Sequence, residues 1–99
     1  NGTVTYFDFD LCGYGWRAYD IAVFLWCRAA ENEVLWNAFL DGYNSIRPLS
    51  DHEMQSILPF VVIRQIWLVG YYTTHPGVDF TPELWEEAFK SFRAYGDLI

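Results

Sequence analysis

Tyr6-Phe7-Asp8-Phe9-Asp10-Leu11-Cys12-Gly13-Tyr14-Gly15-Trp16-Arg17-Ala18-Tyr19-Asp20-Ile21-Ala22 is the stretch from which the rest of the chain is read. Residues 3–9 alternate β-branched and aromatic side chains, the period-two pattern of a strand. Asn1-Gly2 stands ahead of them, and such a pair is a strong short-range hairpin signal. The expectation is a short N-terminal β-strand or hairpin remnant whose partner strand lies upstream. Residues 11–16 contain Gly13 and Gly15 and read as a loop. Residues 18–30 then have the apolar density of a mostly buried helix.

Working outward, Glu31 and Asn32 punctuate the chain, and Val34, Leu35, Ala38, Phe39 and Tyr43 fall at helical spacing. A second helix over residues 33–46 follows, closed by Pro48. Ser50 and Glu53 form a capping box, so a third helix starts at Asp51 and runs towards Thr74, with a kink or break expected near Leu58 because Pro59 lacks an N–H. His75-Pro76-Gly77 ends it. Thr81-Pro82 opens a fourth helix that reaches about Tyr95, with Leu84, Trp85, Ala88, Phe89 and Phe92 on its inner stripe and Gly96 just beyond it. The fold class is mainly α, one strand remnant and about four helices, in a single domain over residues 1–99.

Composition narrows the function classes. The chain has 53% hydrophobic, 20% aromatic and 19% charged residues, which removes disorder from consideration. A net charge of -7 with no cluster of Lys or Arg argues against nucleic acid and against an anionic membrane surface. Residues 57–72 are weakly polar, but Arg64 and Gln65 interrupt them, so they read as a buried core helix rather than a membrane span. No charged leader and cleavage site opens the sequence, and a cytoplasmic protein with reduced, buried Cys12 and Cys27 is the expectation. Five Trp, seven Tyr and eight Phe exceed what a small interior hides, so part of this surface is expected to meet a partner.

Asp8-Phe9-Asp10 alone carries little weight, since roughly half of one such pair arises by chance at this Asp content. The whole arrangement carries more: a carboxylate at a strand end, a Gly-containing loop, then Asp20-Ile21-Ala22 opening an apolar helix. This pattern resembles the metal-binding segment of the aminoglycoside phosphotransferase and choline kinase family, with its type II homoserine kinase and bacterial stress-response kinase relatives. There an Ile-Asp-Phe-Asp or Ile-Asp-Trp-Glu strand end leads through Gly to Asp-Leu-Ala. Asp8, Asp10, Gly13, Asp20, Ile21 and Ala22 fall on that pattern.

The resemblance implies the helical part of a protein-kinase-like C-lobe and an ATP- and Mg²⁺-dependent phosphoryl transfer to a small hydroxyl-bearing substrate. Asp8 would bind the Mg²⁺ that bridges the nucleotide phosphates, and Asp10 would be a second carboxylate near that metal. Asp20 would orient the site from the next helix, and Gly13 would shape the loop. The family's upstream His-Gly-Asp catalytic loop, its Gly-rich loop and its strand lysine are missing from these 99 residues. The chain alone is therefore expected to carry no catalytic residue and to be inactive, and its substrate-binding residues stay unassigned.

No Ser/His/Asp triad or zinc-type Cys/His spacing offers a rival chemistry. His52 and His75 read as surface residues, and Trp26, Trp36, Trp67 and Trp85 as packed core. The alternative function is a non-catalytic helical interaction module. Either reading leaves a strand edge and an apolar helix face uncovered, so a homodimer or higher oligomer is expected.

Overall fold

The computed structural model describes residues 2–10, 12–77 and 79–97. Four α-helices follow an irregular N-terminal segment: α1 (Arg17–Phe24), α2 (Glu33–Ile46), α3 (Asp51–Thr74) and α4 (Pro82–Gly96), with a π-helical turn over Leu25–Ala29 that continues α1 directly. Among the described residues there is no strand. Residues 3–9, expected to be one, lie in irregular backbone. The physical reason is that a strand exists only as part of a ladder, and the described residues form none. The Asn1-Gly2 turn lies partly outside the described residues, but Gly2 has the positive φ of 77° that a hairpin turn asks of glycine.

Helices α2, α3 and α4 begin where the sequence places them, because each of these starts has a side chain that satisfies an orphan backbone N–H. The Asn32 side chain accepts from Leu35 N at 2.9 Å. Ser50 and Glu53 form the full capping box at α3. Thr81 accepts from Leu84 N at 3.3 Å, with Pro82 in the first turn of α4. Two ends differ from expectation. The helix assigned to residues 18–30 changes to π geometry at Leu25, and Gly96 closes α4 as its last helical residue rather than lying beyond it.

No break occurs at Pro59: α3 is helical from Asp51 to Thr74. Pro59 lies on the exposed side of the helix, while Ile57 and Val61 on either side of it are buried. Packing of those two residues holds the helix through the missing hydrogen bond.

The core is the α1–α3 contact. Ala18, Ile21 and Ala22, spaced one turn apart, meet Ile57 and Val61 of α3, with Trp36, Phe39, Leu40 and Tyr43 of α2 packed at the edge. Phe24 stacks on Phe39 with centroids 4.0 Å apart, which joins α2 to α1. The α4 helix meets α3 and buries only Ala88.

Several sequence-based core assignments are corrected by this arrangement. Val34 is 81% exposed, and Leu35, Trp67, Leu84, Trp85 and Phe89 are also exposed. Only Ile57, Val61 and Leu68 of α3 are buried, so the helix read as a core helix is covered on one side. Cys12 and Cys27 are free thiols, as expected, but both are exposed rather than buried. Among the described residues, four of the eight buried apolar ones are alanines, and the radius of gyration of 15.6 Å exceeds the about 13 Å of a compact domain this long.

By length and composition α3 is the one described helix that could cross a membrane. It is also the helix against which α1 and α4 pack.

Candidate functional site

The site grows from the start of α1. Trp16 is its N-cap residue with extended backbone and no side-chain cap, so the first-turn N–H groups need other compensation. Asp20 supplies negative charge in that first turn, where the helix dipole favours it.

Arg17, one residue into the helix, is unfavourable there by the same reasoning, and it is neutralised from another element. Its Nε and Nη2 donate to the two carboxylate oxygens of Glu53 at 2.5 and 2.7 Å. Nη2 also donates to the Pro48 carbonyl at 2.9 Å, and Nη1 to the Arg47 carbonyl at 3.3 Å. This fork clamps the start of α1 to the corner between α2 and α3. The Arg17 guanidinium and the Ser50 backbone N–H hold the Glu53 carboxyl at about 2, well below its ordinary 4.5. Hydrogen bonding to Glu53 raises the Arg17 pKa in turn.

Between the 12–16 loop, α1 and α3 lies a cavity of about 610 Å³. Trp16, Tyr19 and Phe60 form its aromatic wall: Trp16 and Phe60 centroids are 5.9 Å apart, and Tyr19 meets Phe60 edge-on at 5.7 Å. Gly13 and Asp20 line the same cavity, with the exposed Cys12 thiol at its side. With Arg17 occupied by Glu53, Asp20 is the uncompensated charge on this wall.

Of the four residues nominated from sequence, the structure therefore brings Gly13 and Asp20 together. Asp8 and Asp10 are exposed on the preceding segment and do not line the cavity. No group of three or more His, Cys, Asp and Glu gathers among the described residues. Asp8 and Asp10 are two exposed carboxylates, oxygen donors of the kind a magnesium ion takes. They do not by themselves make the six-oxygen shell of a self-contained site.

Asp8 has one further property: its φ is 63°, the only positive φ at a non-glycine among the described residues. His52 and His75 are exposed, as read from sequence, and His75 stacks on Tyr71 with centroids 3.6 Å apart.

Sequence reasoning missed two features. The first is the Arg17 clamp, whose only advance signal was the Glu53 of the capping box. The second is Arg64, which sits over the rings of Trp26 and Trp67 at 5.9 and 4.9 Å and approaches the Tyr19 hydroxyl at 3.5 Å, with its Nε buried and unpaired. Trp26 in turn donates to Gln65 Oε1 at 2.9 Å. An arginine inside an apolar run was legible, but not the two indoles that face it.

An uncharacterized protein of Deinococcus radiodurans is 43% identical over 70 residues, which are 65% of this chain and 20% of that protein. An uncharacterized protein of Synechocystis is 46% identical over 63 residues, 62% of this chain and 18% of that protein. The matched region thus spans about a fifth of the length of these relatives. No family model matches the chain, and no solved structure matches it.

Proposed function

We propose that the chain is the C-terminal helical part of a larger ATP- and Mg²⁺-dependent phosphotransferase, one that transfers a phosphoryl group to a hydroxyl of a small substrate. The observation that carries this reading is the backbone of Asp8. A non-glycine residue in the left-handed region is held there against roughly 1–3 kcal/mol of strain, and such residues gather at ligand clamps and active sites. The residue so held is the carboxylate that the resemblance nominates as the metal ligand.

Asp8 and Asp10 supply hard oxygen donors on an open segment, suited to an ion shared with nucleotide phosphates. Such an ion would neutralise charge on the phosphoryl group in flight. Asp20 is carried to the neighbouring cavity by a helix start that the Arg17–Glu53 clamp fixes in place. The length of the relatives leaves room for the phosphate-holding elements and the general base that these 99 residues lack. The reading is of a cytoplasmic protein that works without nucleic acid or membrane, and of a chain with no turnover when alone.

The test replaces the matched segment of the Deinococcus radiodurans protein with this chain and measures Mg²⁺-dependent ATP turnover against a panel of small alcohols and amino alcohols. Asp8→Ala should remove the turnover with helix content by circular dichroism unchanged. Turnover that survives Asp8→Ala, or that the 99-residue chain performs unaided, overturns the reading.

The second reading is a non-catalytic helical interaction module. It is favoured by the exposure of Ile63, Ile66, Trp67, Leu84 and Phe89 on a chain with few fully buried residues. It calls for a homodimer or higher oligomer, and a monomer in sedimentation at micromolar concentration counts against it.

A further inference from the structure

We infer that the cavity between the 12–16 loop, α1 and α3 is a docking site for an arginine side chain of a partner polypeptide, whose guanidinium pairs with Asp20 and lies against the rings of Trp16 and Phe60. The inference goes beyond the phosphotransferase reading and does not rest on it.

Charge selects a cation. Among the described residues Arg17 is the one basic residue on the cavity wall, and its guanidinium is taken up by both carboxylate oxygens of Glu53 and by the Arg47 and Pro48 carbonyls. Asp20 has no ion pair among the described residues. A neutral apolar ligand seated here would strip water from that carboxylate without a compensating partner, and an anion would be repelled. Trp16, Tyr19 and Phe60 add to the attraction, because an aromatic face carries the negative end of the ring quadrupole. The net charge of -7 draws cations to the surface from further out.

The molecule shows twice how it holds a guanidinium. Arg17 sits on a carboxylate, and Arg64 lies over the rings of Trp26 and Trp67 at 5.9 and 4.9 Å, near the Tyr19 hydroxyl. The cavity offers both kinds of contact and supplies no free cation of its own. A planar, weakly hydrated guanidinium takes both at once, with two N–H groups on the carboxylate and its face on a ring. A lysine ammonium is a compact, strongly hydrated point charge and cannot stack in this way.

The rim selects a side chain over a free small molecule. Sites for free small ligands cover about 70–90% of the ligand's surface. This cavity of about 610 Å³ is open along the loop, where Tyr14 is fully exposed and Trp16 is 75% exposed. An open trough suits a side chain delivered from a backbone that crosses the rim, and Tyr14 and Trp16 give that backbone an apolar surface to lie on.

The probes are end-blocked pentapeptides with two glycines on either side of a central arginine, lysine or citrulline. They are titrated into the isotope-labelled chain and followed by heteronuclear NMR. The arginine peptide should shift the Trp16 indole N–H and the Gly15 and Asp20 amides saturably. The citrulline peptide, of equal shape without the charge, should bind at least about tenfold more weakly. No saturable shift with arginine, or equal binding of the citrulline or lysine peptide, overturns the inference. Tetramethylammonium binding as tightly as the arginine peptide overturns it in favour of a small-molecule site. Shifts at residues 12–20 that grow with protein concentration alone, with a dimer mass in sedimentation, overturn it in favour of a second copy.

Asp20→Asn and Trp16→Ala should each weaken arginine-peptide binding by roughly 3- to 10-fold. Asp41→Asn, which removes an exposed carboxylate of α2 outside the cavity lining, should leave it unchanged. An equal loss in Asp41→Asn means that the peptide reads only net charge, and overturns the inference. Should a cavity variant lose its helix content by circular dichroism, the peptide series on the unaltered chain decides alone. None of these readouts is an activity, so the inference and the phosphotransferase reading can fail separately.

Discussion

Residues 2–16 and the α1–α3 contact have similar apolar content and opposite fates. In the first, Tyr6 and Phe7 stand in water; in the second, Ile21 is 1% exposed and Ala22 is fully covered. The difference lies in where backbone hydrogen bonds come from. A helix satisfies its own N–H and C=O groups and then needs only one neighbour for its apolar stripe, whereas a strand needs a neighbour for its backbone as well. The helical segments therefore fold on what these 99 residues contain, and the strand-like segment keeps its pattern without its structure.

That contrast can be broken most sharply at Ile21. Ile21→Ala should lower stability by about 2–5 kcal/mol in urea denaturation followed by circular dichroism, because the residue is surrounded on α3 by side chains that collapse only in part. A loss below 1 kcal/mol, measured the same way, would mean that the α1–α3 contact is not the core.

Pro59→Ala tests the helix that forms the other half of that contact. It restores a missing N–H on the exposed side of α3 and should raise stability by up to about 3 kcal/mol. No gain would show that the surrounding turn already compensates the proline.

Ser50→Ala removes one half of the capping box and should cost about 1 kcal/mol. Glu53 makes the same corner pH-sensitive. Its carboxyl titrates at about 2 when folded and near 4.5 ordinarily, so the unfolded chain takes up the proton first as pH falls. Its contribution to stability is thus complete above about 4.5 and is lost as pH drops towards 2. Glu53→Gln should flatten the melting temperature across that window, and an unchanged slope would remove the clamp from the account.

The smallest effect belongs to the N-terminal segment. Phe7→Ala should change the stability of the isolated chain by less than about 0.5 kcal/mol, since Phe7 is 82% exposed. A large loss here would erase the distinction between the two regions.

Much of the fold was legible because helix starts are local events. Ser50, Thr81 and Asn32 cap helices through bonds to residues three positions on, and such spacing is visible in a single sequence. The candidate site was legible only in part. Gly13 and Asp20 were nominated and share a cavity, but the aromatic wall includes Phe60, forty residues further along. Nothing in the spacing of residues announces that Phe60 comes to face Trp16 and Tyr19.

Side choice on the helices was read less well. Val34, Leu84 and Phe89 have apolar character and helical spacing, yet they face solvent, because four helices of this length offer too little partner surface for every stripe.

What the amino-acid order determined by itself was the set of helices and most of their starts, since capping and apolar period act within a few residues. Only the tertiary structure decided which face of α3 is covered, that Arg17 would meet Glu53, that Arg64 would lie against two indoles, and that residues 3–9 would stay out of a sheet. Each of these depends on what another segment brings to the contact, and that information is not carried by any one stretch of the chain.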